Sequence, residues 1–318
     1  MMKKLLLGVI AALVYSIAAA QPYPSKPIRI IVAFPPGGPT DVVSRLLGVK
    51  ITEALGQPVV VENRSGAGGN LPTTQVAKMP ADGYTLLAHS SAYAVNPALM
   101  SNAGYDGEKD FIAISIVASQ PNFIVVHSDF PAKSLAELLQ MARTQPLAYA
   151  SPSSGTTPHL TAENLFRVRA KVDITHVPFK GGGPAVAALL SGQPPIGSMA
   201  GSTPIPHIKA GRLRALAVSS SHRLAVLPDV PTLAELGYPG MEDYTWMGLF
   251  APAGTPHEIA QRLNEVVLRA ANSPDMRERL EQLTMEVTAA PLRETQEYVR
   301  AELVKWAKVV RDTGAKVD

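Results

Sequence analysis

The chain has 318 residues, of which 46% are hydrophobic and none is cysteine, and its formal net charge is +3. This apolar content excludes an intrinsically disordered protein, and the length predicts two domains with a large buried core. Without cysteine the chain has neither a disulfide nor a lipid-modified N-terminal cysteine.

The first twenty residues have the pattern of an export signal. They have a basic start at Lys3 and Lys4, an apolar run over 5–13 and three alanines before Gln21. This pattern predicts a secretory signal peptide cleaved after Ala20, because the segment is too short and wrongly flanked for a membrane span. Cleavage leaves 27 basic and 26 acidic residues, so no charge field favours nucleic acid or an anionic membrane. We expect a soluble periplasmic protein that is not a lipoprotein.

Along the remaining chain, short runs rich in Val and Ile alternate with helical patterns and Gly/Pro breaks. The runs predict strands at 28–34, 59–62, 84–89, 123–127, 147–150, 174–178 and 213–219. Helices are predicted at 41–55, 134–143, 158–167, 184–191 and 204–210. Strict alternation of this kind is typical of α/β proteins, in which helices cover both faces of parallel sheets.

The stretch 111–127 is nearly uncharged and longer than one strand needs, with a break at 119–121. We interpret it as the segment that carries the chain from one lobe to another, and 244–251 as the return. Lobe 1 is then 21–120 plus about 246–318, where apolar spacing predicts terminal helices, and lobe 2 is about 121–245. A cleft lies between the lobes, with hinges at 119–122 and 246–248.

Glycine-containing loops follow several of the predicted strands. The first, Pro36-Gly37-Gly38, precedes a helix predicted to start at Thr40 or Asp41, and unpaired N–H groups in a first helical turn attract anions. A second loop, at 63–70, contains Gly66-Ala-Gly68, but Leu71 stands where a dinucleotide fingerprint needs its third glycine. A nucleotide site is therefore disfavoured, and anion capture is favoured.

Two later loops have the same position after a strand. The loop at 151–158 is rich in hydroxyls, which either bind carboxylate or phosphate oxygens or serve as turn formers and helix caps at Ser153 and Thr157. The loop at 179–184 offers Lys180, which either neutralises an anion or is solvated. Opposed helix N-termini on two lobes would clamp the two ends of a diacid.

Several segments of the chain closely resemble a known family. They include 23–32, 36–41, 56–64, 66–70, 82–87, 176–181, 213–218, 227–232 and 248–256, so the resemblance spans nearly all of the mature chain. It is to the Bug family, the extracytoplasmic solute-binding proteins of tripartite tricarboxylate transporters. The resemblance implies a type II-like, two-lobed periplasmic-binding-protein fold, with two parallel-rich sheets and a central cleft. It also implies a monomer that closes on a small carboxylate and delivers it to membrane permease subunits.

The ligand site is predicted from this resemblance and from the loops above. Backbone amides and ordered water are implied as the main ligand partners, whereas Asp41 would repel an anion and is interpreted as a helix cap. The predicted ligand-binding residues are Phe34, Pro36, Gly37, Gly38, His89, Ser90, Ser91, Tyr93, Ser153, Ser154, Gly155, Thr156, Thr157, Phe179, Lys180, Gly181, Met199 and Ala200.

One departure from the family pattern bears on the ligand. Family members commonly have Gly-Gln-Val-Asp in a loop that reads Gly-Gln-Pro-Pro-Ile-Gly-Ser-Met-Ala over 192–200 in this chain, and Met199 occupies a place where an acid would hold an ammonium group. We hypothesise a ligand without an amino group, either a dicarboxylate or an aromatic acid packing on Met199, Phe34 or Tyr93. Pro194 and Pro195 also weaken the prediction of edge pairing for that strand.

Two other functions stay open at this point. An enzyme is disfavoured because no metal-ligand spacing and no Gly-x-Ser-x-Gly elbow is present, and because Ser154 with His159 lacks an orienting carboxylate. No metal and no cofactor are therefore expected. A ligand sensor that signals to a membrane kinase would use the same closure on a ligand, and the sequence does not distinguish it from a transport protein.

Overall fold

A computed structural model describes residues 23–315, so the predicted signal peptide lies outside the described residues. Within that range no helix combines the length and the apolar character that a membrane crossing requires. Strands and helices alternate over most of the chain, as the sequence predicts.

The first part of the chain forms one half of the sheet and its covering helices. Its elements are β1 (Ile28–Val32), α1 (Pro39–Leu55), β2 (Val59–Asn63), α2 (Asn70–Ala77), β3 (Thr85–Ser90), α3 (Ala92–Leu99) and β4 (Phe111–His127). The last part of the chain returns to this half with β9 (Tyr244–Pro252), α8 (His257–Ala271), α9 (Pro274–Gln282), β10 (Glu286–Val287) and α10 (Leu292–Thr313). The strand order is β2-β1-β3-β9-β4, and β10 also pairs with β4.

The middle of the chain forms the other half. Its elements are α4 (Leu135–Ala142), β5 (Leu147–Ser151), α5 (Thr157–Glu163) with a π-helical extension (Asn164–Arg169), β6 (Ile174–Pro178), α6 (Gly182–Leu190), β7 (Ile196–Ala200), α7 (Ile205–Lys209) and β8 (Leu213–Val218). The order is β4-β7-β5-β6, with β8 on the other side of β4.

The two halves are the lobes of a two-lobed α/β fold, and β4 belongs to both. The first part of β4 pairs with β9 as far as Pro121. The second part pairs with β7 from Asn122 onward and with β8 from Phe123 onward. Separate hydrophobic clusters lie on the two faces of the sheet in each lobe. We propose that the lobes divide where the partners of β4 change, which agrees with the predicted limit near residue 120.

Each lobe contains parallel strands, as the prediction of parallel-rich sheets requires, and the sheet also contains antiparallel pairs. β1, β2 and β3 are parallel, as are β5, β6 and β7, but β9 is antiparallel to β3 and β4, and β4 is antiparallel to β7 and β8. The physical reason is that the chain enters and leaves lobe 2 through adjacent strands, which must run in opposite directions.

Further local predictions need correction. The stretch 111–127 is one continuous strand, α1 begins at Pro39, and the helices α2 and α3 are additions to the predicted set. β7 starts directly after Pro195 and is a central strand, which pairs along its whole length with β4 and at Ile196 and Gly197 with β5.

Candidate functional site

The loops predicted to bind a ligand lie at the carboxyl ends of two sets of parallel strands. Because β1, β2 and β3 are parallel, the loops that follow them share one edge of lobe 1, and the loops after β5, β6 and β7 share one edge of lobe 2. The two edges meet: Ser91 Oγ lies 3.0 Å from Thr157 Oγ1, and a Cβ on Gly68 would lie 3.9 Å from the Ser154 carbonyl oxygen. The loops predicted to bind a ligand therefore come together where the two edges meet.

The Pro-Gly-Gly loop is held in place by the Asp41 carboxylate. Asp41 is the third residue of α1 and is buried; it accepts hydrogen bonds from Gly37 N at 2.8 Å and Asn63 Nδ2 at 2.9 Å, and pairs with Arg45 at 2.9 Å. Burial alone would raise the pKa of Asp41, but the bonds from Arg45, Gly37 and Asn63 outweigh it and lower that pKa. Asp41 therefore positions the loop, and both of its carboxylate oxygens have partners within the protein.

We expect Asp41→Ala to lower the free energy of unfolding by about 2 kcal/mol, because it removes the buried carboxylate that accepts from Gly37 N and Asn63 Nδ2 and pairs with Arg45. Chemical denaturation monitored by circular dichroism measures the change. Asp129→Ala, in which the side chain is 89% exposed, is the matched control and should change stability by less than about 0.5 kcal/mol. An effect no larger than the control's would remove this role from Asp41.

His89 lies fully buried at the end of β3 and supplies a neutral ring to the site. Its Nδ1 is 2.9 Å from the Ser90 carbonyl oxygen, which only accepts, so Nδ1 carries the hydrogen and Nε2 presents a lone pair. Among the described residues Nε2 has no hydrogen-bond partner, and a Cβ on Gly69 would approach it to 2.4 Å. Burial lowers the pKa of His89 to about 4, so at neutral pH it adds no positive charge.

Most hydroxyls of the loop at 151–157 are already bound within the protein. Ser151 Oγ lies 2.6 Å from His176 Nε2, Thr156 Oγ1 donates to the Ser153 carbonyl at 2.8 Å, and Thr157 Oγ1 contacts Ser91. The structure gives no side-chain cap bond at the start of α5, so capping does not explain the cluster. The half-buried Ser153 and Ser154 are therefore the hydroxyls of this loop best placed for a ligand.

Behind that loop, two stacked histidines support it. The rings of His159 and His176 lie 3.9 Å apart, and Gly155 N donates to His159 Nδ1 at 3.3 Å. Burial lowers the pKa of both, to about 3 for His159, where the His176 and Arg167 charges add to the effect, and to about 4 for His176, where Arg167 adds. Both rings are neutral at pH 7, so His159 accepts the bond that shapes the loop.

The remaining predicted residues differ in how they are placed. Phe179 N and Gly181 N donate to the carbonyls of Ser151 and Pro152, which joins the two lobe 2 loops, and Lys180 is exposed. Phe34 is half-buried and edge-on to His89 at 5.1 Å, Pro36 and Gly37 are exposed, Gly38 and Ser90 are half-buried, and Ala200 is buried.

Tyr93 and Met199 are used in the hydrophobic cores. Tyr93 stacks on Phe250 with ring centroids 4.1 Å apart, and its hydroxyl donates to the Gly107 carbonyl at 2.7 Å. Met199 is fully buried in the cluster that contains Phe123. The structure thus provides no support for an aromatic ligand packing on Tyr93 or Met199.

Two polar residues that were not predicted lie beside the loops that follow the parallel strands. Gln120 is fully buried in β4, and its Oε1 accepts from Ser202 N, in the loop after β7, at 2.6 Å. Its Nε2 has no partner among residues 23–315. Asn96 of α3 is also buried; its Nδ2 donates to the Gly68 carbonyl at 3.0 Å. The signal for Gln120 is its place in the polar break Ser119-Gln-Pro-Asn122 within a largely apolar strand.

Apart from the exposed Lys180, the charges near these loops are compensated within the protein. Arg45 pairs with Asp41 at 2.9 Å and Arg64 with Glu62 at 3.0 Å. In the part of the chain that the structure describes, no group of three or more His, Cys, Asp or Glu side chains is arranged to hold a metal ion. What the site offers an anion is therefore mainly neutral: backbone N–H groups, hydroxyls and amides.

Comparison with known proteins gives consistent matches over most of the chain. The model of a family described as "Tripartite tricarboxylate transporter family receptor" matches residues 43–315. Protein BugT of Bordetella pertussis is 40% identical over 303 residues, which are 94% of this chain and 93% of that protein.

Two solved structures from Rhodopseudomonas palustris are also similar. Rpa4515 with adipate has a TM-score of 0.86 and 34% identity, and covers 93% of this chain and 100% of its own. MatC with bound malate has a TM-score of 0.83 and 35% identity, and covers 91% and 100%.

Proposed function

Since the chain belongs to the tripartite tricarboxylate transporter receptor family, we propose that it is a periplasmic solute-binding protein that captures a small organic carboxylate between its lobes and delivers it to membrane permease subunits. Membership confirms the resemblance to the Bug proteins. The observation that carries the proposal is the meeting of loops from two parallel strand sets, with uncharged donors on both sides. Adipate and malate in the two similar structures support the choice of a carboxylate.

Neutral donors suit a carboxylate that must also be released. Backbone N–H groups at helix starts bind carboxylate oxygens without a full opposite charge, so the attraction is local and geometric. The site we propose comprises the loop at 36–38, Ser90, Ser153, Ser154 and the loop at 179–181, with His89 behind them. We propose that the protein binds and releases the ligand without catalysing a reaction on it.

We further propose that the ligand lacks an amino group. An ammonium group inside a closed cleft needs an acceptor with negative charge. The two carboxylates near these loops, Asp41 and Glu62, are already paired with arginines. A dicarboxylate is favoured over an aromatic acid, because Tyr93 and Met199 lie in the cores.

A thermal-shift screen of residues 21–318, unfolded and refolded to remove bound molecules, tests this function. The panel contains adipate, malate, succinate, benzoate, aspartate, glutamate and ATP. We expect melting temperatures to rise with dicarboxylates only, since a ligand that binds the folded state stabilises it by about 2.7 kcal/mol at a hundredfold excess over its Kd.

Other outcomes of the screen have distinct meanings. Shifts with aspartate or glutamate alone would disprove the non-amino ligand, and shifts with ATP alone would disprove carboxylate capture. Ser154→Ala should reduce the shift given by a positive ligand, whereas Ser191→Ala, whose hydroxyl bonds the Ala188 carbonyl within α6 and its C-terminal turn, should leave it unchanged.

A further inference from the structure

A series of polar side chains crosses the junction of the two lobes. Ser91 of lobe 1 contacts Thr157 of lobe 2 at 3.0 Å; Thr157 contacts Thr245 of β9 at 2.7 Å; and Thr245 contacts Asn122 of β4 at 2.8 Å. Asn122 continues to Thr161 at 3.1 Å, which contacts Asp243 at 3.2 Å. Ser91, Thr157, Asn122, Thr161 and Asp243 are each at most 2% exposed, so water does not replace these bonds in this conformation.

The direction of every bond in the series is fixed by its charged end. Asp243 is paired with Lys305 at 2.7 Å and its carboxylate only accepts, so Thr161 donates to it and must accept from Asn122 Nδ2. That orientation turns Asn122 Oδ1 to Thr245.

The remaining hydrogen-bond directions, from Thr245 to Ser91, follow from these. Thr245 has one hydrogen and gives it to Asn122, so it accepts from Thr157. Thr157 has then used its own hydrogen and must accept from Ser91. Ser91 is therefore the donor at the end of a fully determined chain, and Thr157 Oγ1 is the lobe 2 atom that bonds to Ser91 and to Thr245, both on elements of lobe 1.

We propose that Ser91 and Thr157 form an interlobe latch, a pair of positioning residues that holds the loop at 153–157 against lobe 1 and sets the fraction of unliganded protein that is closed. The loop is tightly seated there. A Cβ on Gly155 would lie 2.8 Å from Asn96 Oδ1 and 3.1 Å from Leu99 Cδ2, both in α3 of lobe 1. The latch thus places the lobe 2 loop before any ligand arrives.

The latch affects the two conformations unequally. When the lobes separate, the Ser91 and Thr157 hydroxyls bond to water, so removing one costs little in the open state. In the closed state the same removal leaves a buried donor or acceptor unpaired. Thr157→Val keeps the shape of the side chain but removes the hydroxyl that accepts from Ser91 and donates to Thr245. Ser91→Ala removes the donor on lobe 1.

Distance measurement between spin labels tests the latch in unliganded, refolded protein. The chain has no cysteine, so Val49→Cys on lobe 1 and Val226→Cys on lobe 2, which are 58% and 36% exposed, can be labelled selectively. We expect the shorter, closed distance to be populated in the parent. Thr157→Val and Ser91→Ala should each lower the closed-to-open ratio by about tenfold, which corresponds to about 1.4 kcal/mol.

Matched controls make the same chemical changes inside lobe 1. Thr73 and Ser44 are buried, and their hydroxyls donate to carbonyls of their own helices or the adjoining turn, so Thr73→Val and Ser44→Ala should leave the distances unchanged. Because Thr157→Val already removes the contact with Ser91, the Ser91→Ala, Thr157→Val double variant should open no further than Thr157→Val alone. Unchanged distances in both latch variants, an open parent, or additive opening in the double variant would overturn the proposal.

The latch has a consequence for the proposed site but is tested without a ligand. A ligand that needs the closed state has an apparent Kd divided by the closed fraction, so the latch variants should bind it more weakly without a change in the bound state. A failed ligand screen would leave the distance result intact, and unchanged distances would leave carboxylate capture intact.

Discussion

Acidification from pH 7 to pH 5 should lower the free energy of unfolding of the unliganded protein by about 2 kcal/mol for each of three histidines. His89 and His176 have pKa values near 4 and His159 near 3, chiefly because burial disfavours their charged forms. In the unfolded chain the three titrate near 6.5. Below that pH the unfolded state binds more protons than the folded state. Stability is therefore complete above about pH 6.5 and falls as the pH drops toward 4.

Urea unfolding at half-unit steps between pH 7 and pH 4 measures this dependence. Acetate, citrate and succinate buffers must be avoided, because the proposed ligand is a carboxylate. His159→Gln retains an acceptor for Gly155 N and should reduce the slope by up to about 1.4 kcal/mol per pH unit between pH 4 and pH 6. His222→Gln, at an exposed position, is the control and should leave the slope unchanged. A flat profile from pH 7 to pH 5 would show that these rings are not held neutral by burial.

The location of these histidines explains why acidification should also affect the proposed site. His176 bonds Ser151 and His159 accepts from Gly155, so two of the three rings support the hydroxyl loop. An imidazolium at His159 has no lone pair for Gly155 N, and charges on both stacked rings repel each other. Loss of the loop geometry and loss of stability should therefore occur over the same pH range.

The sequence allowed most strands and the two-lobed arrangement to be predicted, because buried parallel strands are short apolar runs bounded by turn residues. That residues 111–127 carry the chain from lobe 1 to lobe 2 could be predicted from the length of this segment. Its antiparallel pairing could not, because strand direction follows from how the chain returns to lobe 1. Helix α3 was missed because it contains Pro97 and its N-cap, Ser91, makes no side-chain cap bond. The Ser91 hydroxyl bonds Thr157 instead.

The orientation of site residues was the least predictable feature. All five residues of β7 are buried, so alternation of polarity does not indicate which side chains face the cleft, and Met199 lies in the core. In the loop at 151–157 the number of hydroxyls was visible, but their partners come from distant parts of the chain. Thr157 meets Ser91 and Thr245, which are 66 and 88 residues away. Such contacts depend on how the two lobes are placed against each other.

The C-terminal helix α10 should contribute strongly to stability, because its Glu302 holds β9, the strand by which the chain returns from lobe 2. Its Oε2 accepts from Trp246 Nε1 of β9 at 2.9 Å and from Trp306 Nε1 at 3.0 Å, and it is 7% exposed. Lys305 lies 3.8 Å from Glu302 and 2.7 Å from Asp243. Burial acts to lower the pKa of Lys305, but the two carboxylates outweigh it and raise that pKa.

We expect Glu302→Ala to lower the free energy of unfolding by about 4 kcal/mol, because two buried indole N–H groups lose their shared acceptor and Lys305 loses one of its carboxylates. Glu302→Gln retains one carbonyl oxygen and should cost about half as much. Glu297→Ala, on an exposed position of the same helix, is the control and should cost less than about 0.5 kcal/mol. Urea unfolding should be monitored by circular dichroism, since both tryptophans of the chain contact this carboxylate and their fluorescence changes with the substitution itself. If Glu302→Ala were no more destabilising than Glu297→Ala, the carboxylate would not be what joins α10 to β9, and packing of the two indoles would have to account for that contact.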